Sequence, residues 1–349
     1  MGIGDEHRLA EVAVSEPGEP KMCTPVTTGG NSEATDMKAV RIHEFGGPHV
    51  LRYEEVDRPA PKRAQVLVRV KAAGVGVWEI DIREGGWQDF MPYDLPLIIG
   101  TDMSGIVEAV GPNVRDFRVG DEVYGVADMT LSGAYAQYAL ATHESIARKP
   151  KKLNFVQSAS VPVSAVTAWL MLYDLGELKS KQKVLIHGAA GAVGAYAVQL
   201  SRLKRAYVIA TGSQEDKRFV RSLGADEFID YHTQQFEDIV EDVDLVIDLV
   251  GDQTRRASYS VIKPGGRLIT APEALDETDK KLAKKHRVKI AFVECVPTKE
   301  LLQKIGKLID SGKLTINVGD VLPLRDARKA QNLLEKRKAA RGKLVLKVA

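Results

Sequence analysis

From residue 37 onward, apolar and polar positions alternate in short runs. KAVRIHEFG, VLRYEEV and QVLVRVKAAGV are separated by Gly and Pro, a pattern that predicts strands joined by tight turns. GTDMSGIVEAVG and FRVGDEVYGV extend it, with Ile106 and Val110, then Val119, Val123 and Val126, on alternating positions. No helical period appears up to this point. Near Ser158 the texture changes to SASVPVSAVTAWLMLYDLG, an Ala-rich apolar segment that predicts one helix closed by Gly176 as a glycine C-cap. KVLIH, AYAVQLSRL, YVIAT, DKRFVRSLG, EFID, VDLVID and GGRLIT then alternate strand with helix, which is the rhythm of an α/β doubly wound parallel sheet. After KIAFVEC come a helix, TKELLQKIGKLIDSG, a strand-like VGDVLPL, a basic helix and KLVLKV. A lone strand cannot satisfy its own backbone polar groups, so this returning β segment is expected to rejoin the first domain.

The pattern divides the chain into residues 1–36, a β-rich domain built from 37–158 and 295–349, and a Rossmann dinucleotide-binding domain over 159–294. Residues 1–36 combine Gly, Pro, Ser, Thr and acids without a sustained apolar period, which predicts a disordered extension. Neither an export signal, which needs an apolar centre, nor an Arg-rich mitochondrial presequence fits this stretch.

Composition narrows the function classes. With 349 residues, two domains are expected rather than one. The 49 Lys and Arg balance 47 Asp and Glu, so the net charge of +2 argues against a nucleic-acid partner. No segment is apolar enough to cross a membrane. Cys23 and Cys295 lie far apart and form neither a disulfide framework nor a metal cluster, which suits a reducing cytoplasm. His43, His143 and His286 are scattered without metal-ligand spacing.

Candidate chemistry sits after the strand KVLI. His187-Gly188-Ala189-Ala190-Gly191-Ala192-Val193-Gly194 opens an apolar helix, the context that a dinucleotide turn requires. Gly191 would let a pyrophosphate approach the backbone, and Gly194 would let helix and strand pack closely, with the helix N-terminus facing the negative charge. Ala189 stands where the common fingerprint has its first glycine. The next strand ends at Gly212-Ser213 without the carboxylate that an NAD-preferring site places there. Lys217 and Arg218 follow and could face a 2′-phosphate, softened by Glu215 and Asp216; a solvated helix face is the competing reading.

The ordered blocks MKAVRIHEFGGP, VKAAGVG, GTDMSGIVEAVG, RVGDEVYG, SVPVSAVTAW, VLIHGAAGAVG, RSLGAD, KPGGRLIT and GKLVLKV run from Met37 to the last residues. Together they resemble the medium-chain dehydrogenase/reductase superfamily, and most closely its zinc-free quinone oxidoreductase branch, which includes the zeta-crystallins. The resemblance implies a Rossmann domain inserted in a GroES-like β-rich substrate domain, with the active site in the cleft and a homodimer as the assembly. It implies NADPH, contacted around Thr167, Ala190, Gly191, Ala192, Val193, Ser213, Lys217 and Tyr231. The zinc alcohol dehydrogenases of the superfamily carry a Cys after the AAGV turn and a His-Glu pair in the next block. This chain has Gly76 and Thr101-Asp102 there, which cannot replace Cys and His, so no metal is expected. Quinone oxidoreductases commonly carry Asn where Gly76 stands. Trp78 and Trp87 lie nearby and are candidates, with Gly76, for the wall of a pocket for a planar substrate; domain packing is the alternative.

The function these features imply is an NADPH-dependent reductase that passes hydride to a quinone or an α,β-unsaturated carbonyl without zinc. Two other classes stay open: a non-catalytic, crystallin-like NADPH-binding protein, and a zinc-free alcohol dehydrogenase. No side chain is assigned as catalytic; Asp81, Arg83 and Tyr93 are candidate polar groups, with a structural surface residue as the favoured competing reading for each. The strand KIAFVEC is the expected pairing edge of the dimer.

Overall fold

The computed structural model describes residues 36–88, 92–130, 132–336, 338 and 340–348. The expected extension lies outside the described residues except for Asp36, which opens the first strand rather than closing a tail.

Strands β1 (Asp36–Ile42), β2 (Arg52–Asp57) and β3 (Gln65–Val75) come first. Helix α1 (Val77–Arg83) intervenes before β4 (Leu97–Ile98), β5 (Asp102–Val110), β6 (Glu122–Val126), β7 (Tyr138–Thr142) and β8 (Ile146–Arg148). The helix α1 is a departure from the all-β expectation. Glu79 explains it: its carboxylate accepts from the Gly76 N–H at the helix start, a contact that VWEIDIR, read as alternation, hides.

The Ala-rich segment forms α2 (Phe155–Ala159) and α3 (Pro162–Trp169), not one helix. Pro162 has no N–H to give back to α2, so the hydrogen-bond ladder stops there. The coil then widens over Leu170–Leu175 into π-helical turns. Gly176 has φ −78°, so it is not the left-handed cap expected. Its glycine is required by space instead, since a Cβ would stand 2.4 Å from the Met171 carbonyl oxygen.

The Rossmann unit follows as β9 (Lys183–Ile186), α4 (Ala192–Leu203), β10 (Tyr207–Gly212), α5 (Lys217–Ser222) and β11 (Glu227–Asp230). Its second half is β12 (Val243–Asp248), α6 (Asp252–Ser258), β13 (Ile262–Thr270), α7 (Glu277–His286) and β14 (Lys289–Phe292). The six strands are parallel in the order β11-β10-β9-β12-β13-β14. Val184, Leu185, Ile186, Val246 and Ile247 are fully buried, as strands covered by helices on both faces must be.

The chain leaves through α8 (Lys299–Asp310), β15 (Val318–Pro323), α9 (Ala327–Glu335) and β16 (Lys343–Lys347). β16 lies between β15 and β3, with Leu344 opposite Val75 and Val345 opposite Gly74, so the returning segment completes the first domain's sheet. That sheet runs β15-β16-β3-β5-β6-β8, with β7 also paired to β3, while β2-β1-β4 form a smaller sheet. Leu301, Leu302 and Ile305 of α8 join the core that also holds Val166 and Val198, and the Tyr124 hydroxyl donates to the Leu302 carbonyl, so α8 packs against both domains.

Candidate active site

The order of the six strands reverses at β9, whose neighbours are β10 and β12, and the carboxyl ends there form the crevice where such sheets take their ligands. The turn after β9 brings Ala190, Gly191, Ala192, Val193 and Gly194 together at the start of α4, with Gly191 as the N-cap. Gly188 has φ +71°, a conformation that favours glycine, and its carbonyl accepts from the Gly191 N–H at 3.1 Å. Gly191 is exposed, and a Cβ there would meet only the Gly188 oxygen, at 3.3 Å. Gly194 is different: a Cβ would stand 2.2 Å from the same oxygen and 2.7 Å from the Ala189 Cα. One glycine thus keeps the backbone open to a ligand, and the other lets helix and turn touch.

The ends of β10 and β11 adjoin this turn. Gly212 lies opposite Asp230, and the Tyr231 N–H donates to the Gly212 carbonyl, which sets Ser213 beside Tyr231. Tyr231 is exposed, and its ring lies 4.3 Å from that of His232. The Ser213 hydroxyl donates to the Asp216 carboxylate at 2.7 Å. Lys217 begins α5 half-buried and Arg218 is exposed beside it. Sequence reasoning missed Arg341, which reaches from the segment before β16 to pair with Asp216 and to donate to the Glu215 carbonyl. Of the two acids expected to weaken this positive end, Asp216 is therefore paired by a cation from the other domain, while the Glu215 side chain is exposed. Its only signal in the sequence was the basic run before GKLVL.

Beneath the turn, His187 is buried between two hydroxyls, Thr211 Oγ1 at 3.1 Å from Nδ1 and Ser258 Oγ at 3.0 Å from Nε2. Ser258 spends its proton on the Thr254 carbonyl, so it must accept from His187. The proton of a neutral imidazole then sits on Nε2, and Nδ1 accepts from Thr211. Burial pushes the His187 pKa down to about 4 from 6.5, against the pull of Asp248. The unfolded chain therefore takes up this proton first as the pH falls. The stabilisation is fully present above pH 6.5 and is lost on descending towards pH 4. It amounts to roughly 3 kcal/mol. Urea midpoints measured from neutral pH down to the folded pKa should decline, and a His187→Gln protein should show a flatter decline. An equal slope in the two proteins would remove His187 as the cause.

On the other side of the cleft, Gly76 starts α1. Both Glu79 oxygens are committed, one to the Gly76 N–H at 2.8 Å and one to the Thr101 N–H at 3.0 Å. Asp102, fully buried, accepts from the Val163 N–H in the first turn of α3 and pairs at 2.7 Å with the ammonium of Lys343, itself only 5% exposed. A Cβ on Gly76 would stand 2.9 Å from the Lys343 Nζ. Burial raises the Glu79 pKa despite Lys343. Burial alone would lower the Lys343 pKa, yet Asp102 and Glu79 hold it above the usual lysine value. Neither Glu79 nor Lys343 was singled out from sequence, although a lysine inside the apolar run KLVLK was a sign that it had a buried partner. Thr167 lies on α3, with its hydroxyl donating to the Val163 carbonyl, which the Cys295 thiol also approaches.

Trp78 and Trp87 meet at 4.7 Å between ring centroids, and Trp87 lies 6.4 Å from Phe292 at the carboxyl end of β14. The aromatic wall therefore draws on both domains, with Phe292 missed from sequence. Of the other polar candidates, Arg83 is not the surface residue expected: it is completely buried and ties α1 to α9 through Gln331 and Glu335. Tyr93 is 7% exposed, with its pKa pushed up to about 12 by burial, and Asp81 is half-buried with its pKa raised by burial and then by Glu84. Among the described residues no group of three or more His, Cys, Asp or Glu could hold a metal ion, and no helix is long and apolar enough to cross a membrane.

Residues 62–151 match the family described as alcohol dehydrogenase GroES-like domain, and residues 223–346 match the family described as zinc-binding dehydrogenase. The chain is 33% identical to a quinone oxidoreductase of Sus scrofa, over 89% of this chain and 97% of that protein. The quinone oxidoreductase structure from Coxiella burnetii superposes with a TM-score of 0.83 at 33% identity, covering 90% of this chain and all of the other. The Escherichia coli quinone oxidoreductase, solved in complex with NADPH, gives 0.82 at 25% identity over 89% of this chain and 100% of its own.

Proposed function

This chain belongs to the medium-chain dehydrogenase/reductase family and is a quinone oxidoreductase-like oxidoreductase, and from that premise we propose that it is an NADPH-dependent, zinc-independent reductase of quinones or α,β-unsaturated carbonyls. The observation that carries this reading is the pairing of an open backbone at Gly191, at the N-terminus of α4, with a β10 end that carries Ser213 rather than a carboxylate and gathers Lys217, Arg218 and Arg341 nearby.

The residues suit a dinucleotide. Ala190 to Gly194 would hold the pyrophosphate, using the exposed Gly191 and the amides of the first turn of α4. Ser213, Lys217, Arg218 and Arg341 would surround the 2′-phosphate, and Tyr231 would cover the adenosine. Thr167 and Gly76 would flank the nicotinamide end. When bound, NADPH supplies the hydride. A quinone that accepts this hydride and one proton from water becomes a hydroquinone, and NADP⁺ is left. The protein's part is to align the reactants and to exclude water around the transfer. The donor set supports zinc independence: Gly76 has no side chain, Thr101 is a poor ligand, and the ammonium of Lys343 lies close to Gly76. The edge of β14 would pair with a second copy to make a homodimer, and the cytoplasm would be its compartment.

The test is NADPH oxidation with a quinone and an enone panel after dialysis against a strong chelator, together with titration of both cofactors. Turnover should survive dialysis. NADPH should bind about tenfold or more tightly than NADH, as a charge-assisted phosphate contact implies. The preference should shrink in a Lys217→Ala, Arg218→Ala double variant and in Arg341→Ala. Equal affinities in the parent protein, or an unchanged ratio in all variants, would refute the phosphate site. Zinc lost in step with activity would refute the metal-free reading.

A further inference from the structure

One face of α9 and of the turn before it is cationic. Arg325, Lys329 and Lys336 recur at helical spacing, with Arg328 beside them and Lys338 just beyond. Together with Arg52 of β2 they line two adjoining hollows of about 440 and about 500 Å³, which share Arg328 and Lys329. Among the described residues none of these cations pairs with a carboxylate. Asp326 is the acid that lines the larger hollow, and the smaller has none. The whole chain carries a net charge of only +2, so this excess is local. Arg328 is fixed in place: its guanidinium donates to the His49 carbonyl at 2.8 Å and to the Leu51 carbonyl at 3.0 Å, and neither partner neutralises its charge. The floor is apolar. Leu333 underlies the smaller hollow, and the buried Val40 and Leu51 underlie the larger, where the exposed Tyr53 makes a wall. These residues are separate from those proposed to hold cofactor and substrate.

Length and relief decide what fits. From Arg325 to Lys336 the row rises by about 16 Å, so a lone phosphate could not reach both ends. An extended peptide of about five residues matches it, at about 3.3 Å per residue. Its side chains alternate, so carboxylates at every second position can meet the cationic rim while the residues between them rest on the apolar floor. A flat lipid surface would touch the rim without reaching that floor. We propose that the groove along α9 is a docking site for an extended acidic peptide of a partner protein, one in which carboxylate and apolar side chains alternate.

The probe is a capped, labelled peptide alternating glutamate with leucine, titrated into the full chain by fluorescence anisotropy. It should bind the parent protein, and added salt should weaken the binding. Affinity should fall about tenfold in the triple variant Arg325→Ala, Lys329→Ala, Lys336→Ala. All three side chains are exposed, so the melting transition and the NADPH titration should stay at parent values. Arg328 is left intact because it fastens α9 to the chain before β2. A second triple variant, Lys281→Ala, Lys284→Ala, Lys285→Ala, removes the same charge from the exposed side of α7 and should leave peptide affinity unchanged. An equal loss in both triple variants would overturn the groove, since net charge alone would then govern binding. Equal affinity for a peptide with glycine in place of leucine would do the same, because the floor would have no part. So would a peptide that fails to bind the parent protein. If phosphatidylserine vesicles or a single-stranded oligonucleotide then bind through the same three cations, the face belongs to that polyanion instead.

Discussion

A Gly191→Val protein should melt as the parent does and yet lose roughly a hundredfold in dinucleotide affinity. The two halves of this result have separate causes. The backbone at Gly191 has φ −72° and ψ 175°, an extended conformation open to any residue, and an added Cβ touches only one carbonyl oxygen. Folding therefore has little to lose. The branched side chain would instead fill the space in front of the first turn of α4, where the proposed site would bring a pyrophosphate close to the amides. Gly194→Ala should give the opposite outcome, a stability loss of about 1–3 kcal/mol, because its Cβ would be driven into the Gly188 carbonyl at 2.2 Å. Paired measurements of melting and cofactor titration separate the two. Parent-like affinity in a folded Gly191→Val protein would mean that the turn is only a tight connection.

Lys343→Met should be the most destabilising of the single substitutions considered, at about 3–5 kcal/mol. The side chain is nearly isosteric, so the loss comes from charge: Asp102 is fully buried and its Oδ2 has the Lys343 ammonium as its partner at 2.7 Å. Removing the ammonium leaves a buried carboxylate whose remaining support is the Val163 N–H. The double variant Lys343→Met, Asp102→Asn should regain most of the deficit, since a neutral amide can still accept from the Val163 N–H. Denaturant unfolding of the four proteins in a double-mutant cycle provides the measurement. A single-variant loss below about 1 kcal/mol would show that the pair is hydrated or otherwise relaxed.

What could be read in advance follows the range of the interactions concerned. The parallel sheet was legible because β9, β10, β12 and β13 are buried on both faces, which forces continuous runs such as VLI and LVI. The turn at Gly188–Gly194 was legible because its spacing is a local steric requirement. Helix α1 was not, since VWEIDIR alternates like a strand and Glu79, which caps it, also binds the Thr101 N–H from another part of the chain. The break between α2 and α3 was signalled by Pro162, but the apolar continuity of the segment outweighed it. Arg341 escaped notice because its partners, Glu215 and Asp216, precede it by the whole second half of the inserted domain. Phe292 was read as part of a pairing edge, and only the meeting of the two domains sets it against Trp87.

The position of β16 bears on the order in which the molecule is built during translation. This strand lies inside the first domain's sheet, between β15 and β3, yet the ribosome makes it only after the inserted domain is complete. Until then β3 exposes unpaired backbone along Ala72 to Val75, and Asp102 waits for its ammonium. The Rossmann unit, contiguous in sequence from β9 to β14, has no such delay and can fold as soon as it emerges. The domain encoded first is therefore finished second, and its open sheet is the surface that a nascent-chain chaperone would have to shield in the interval.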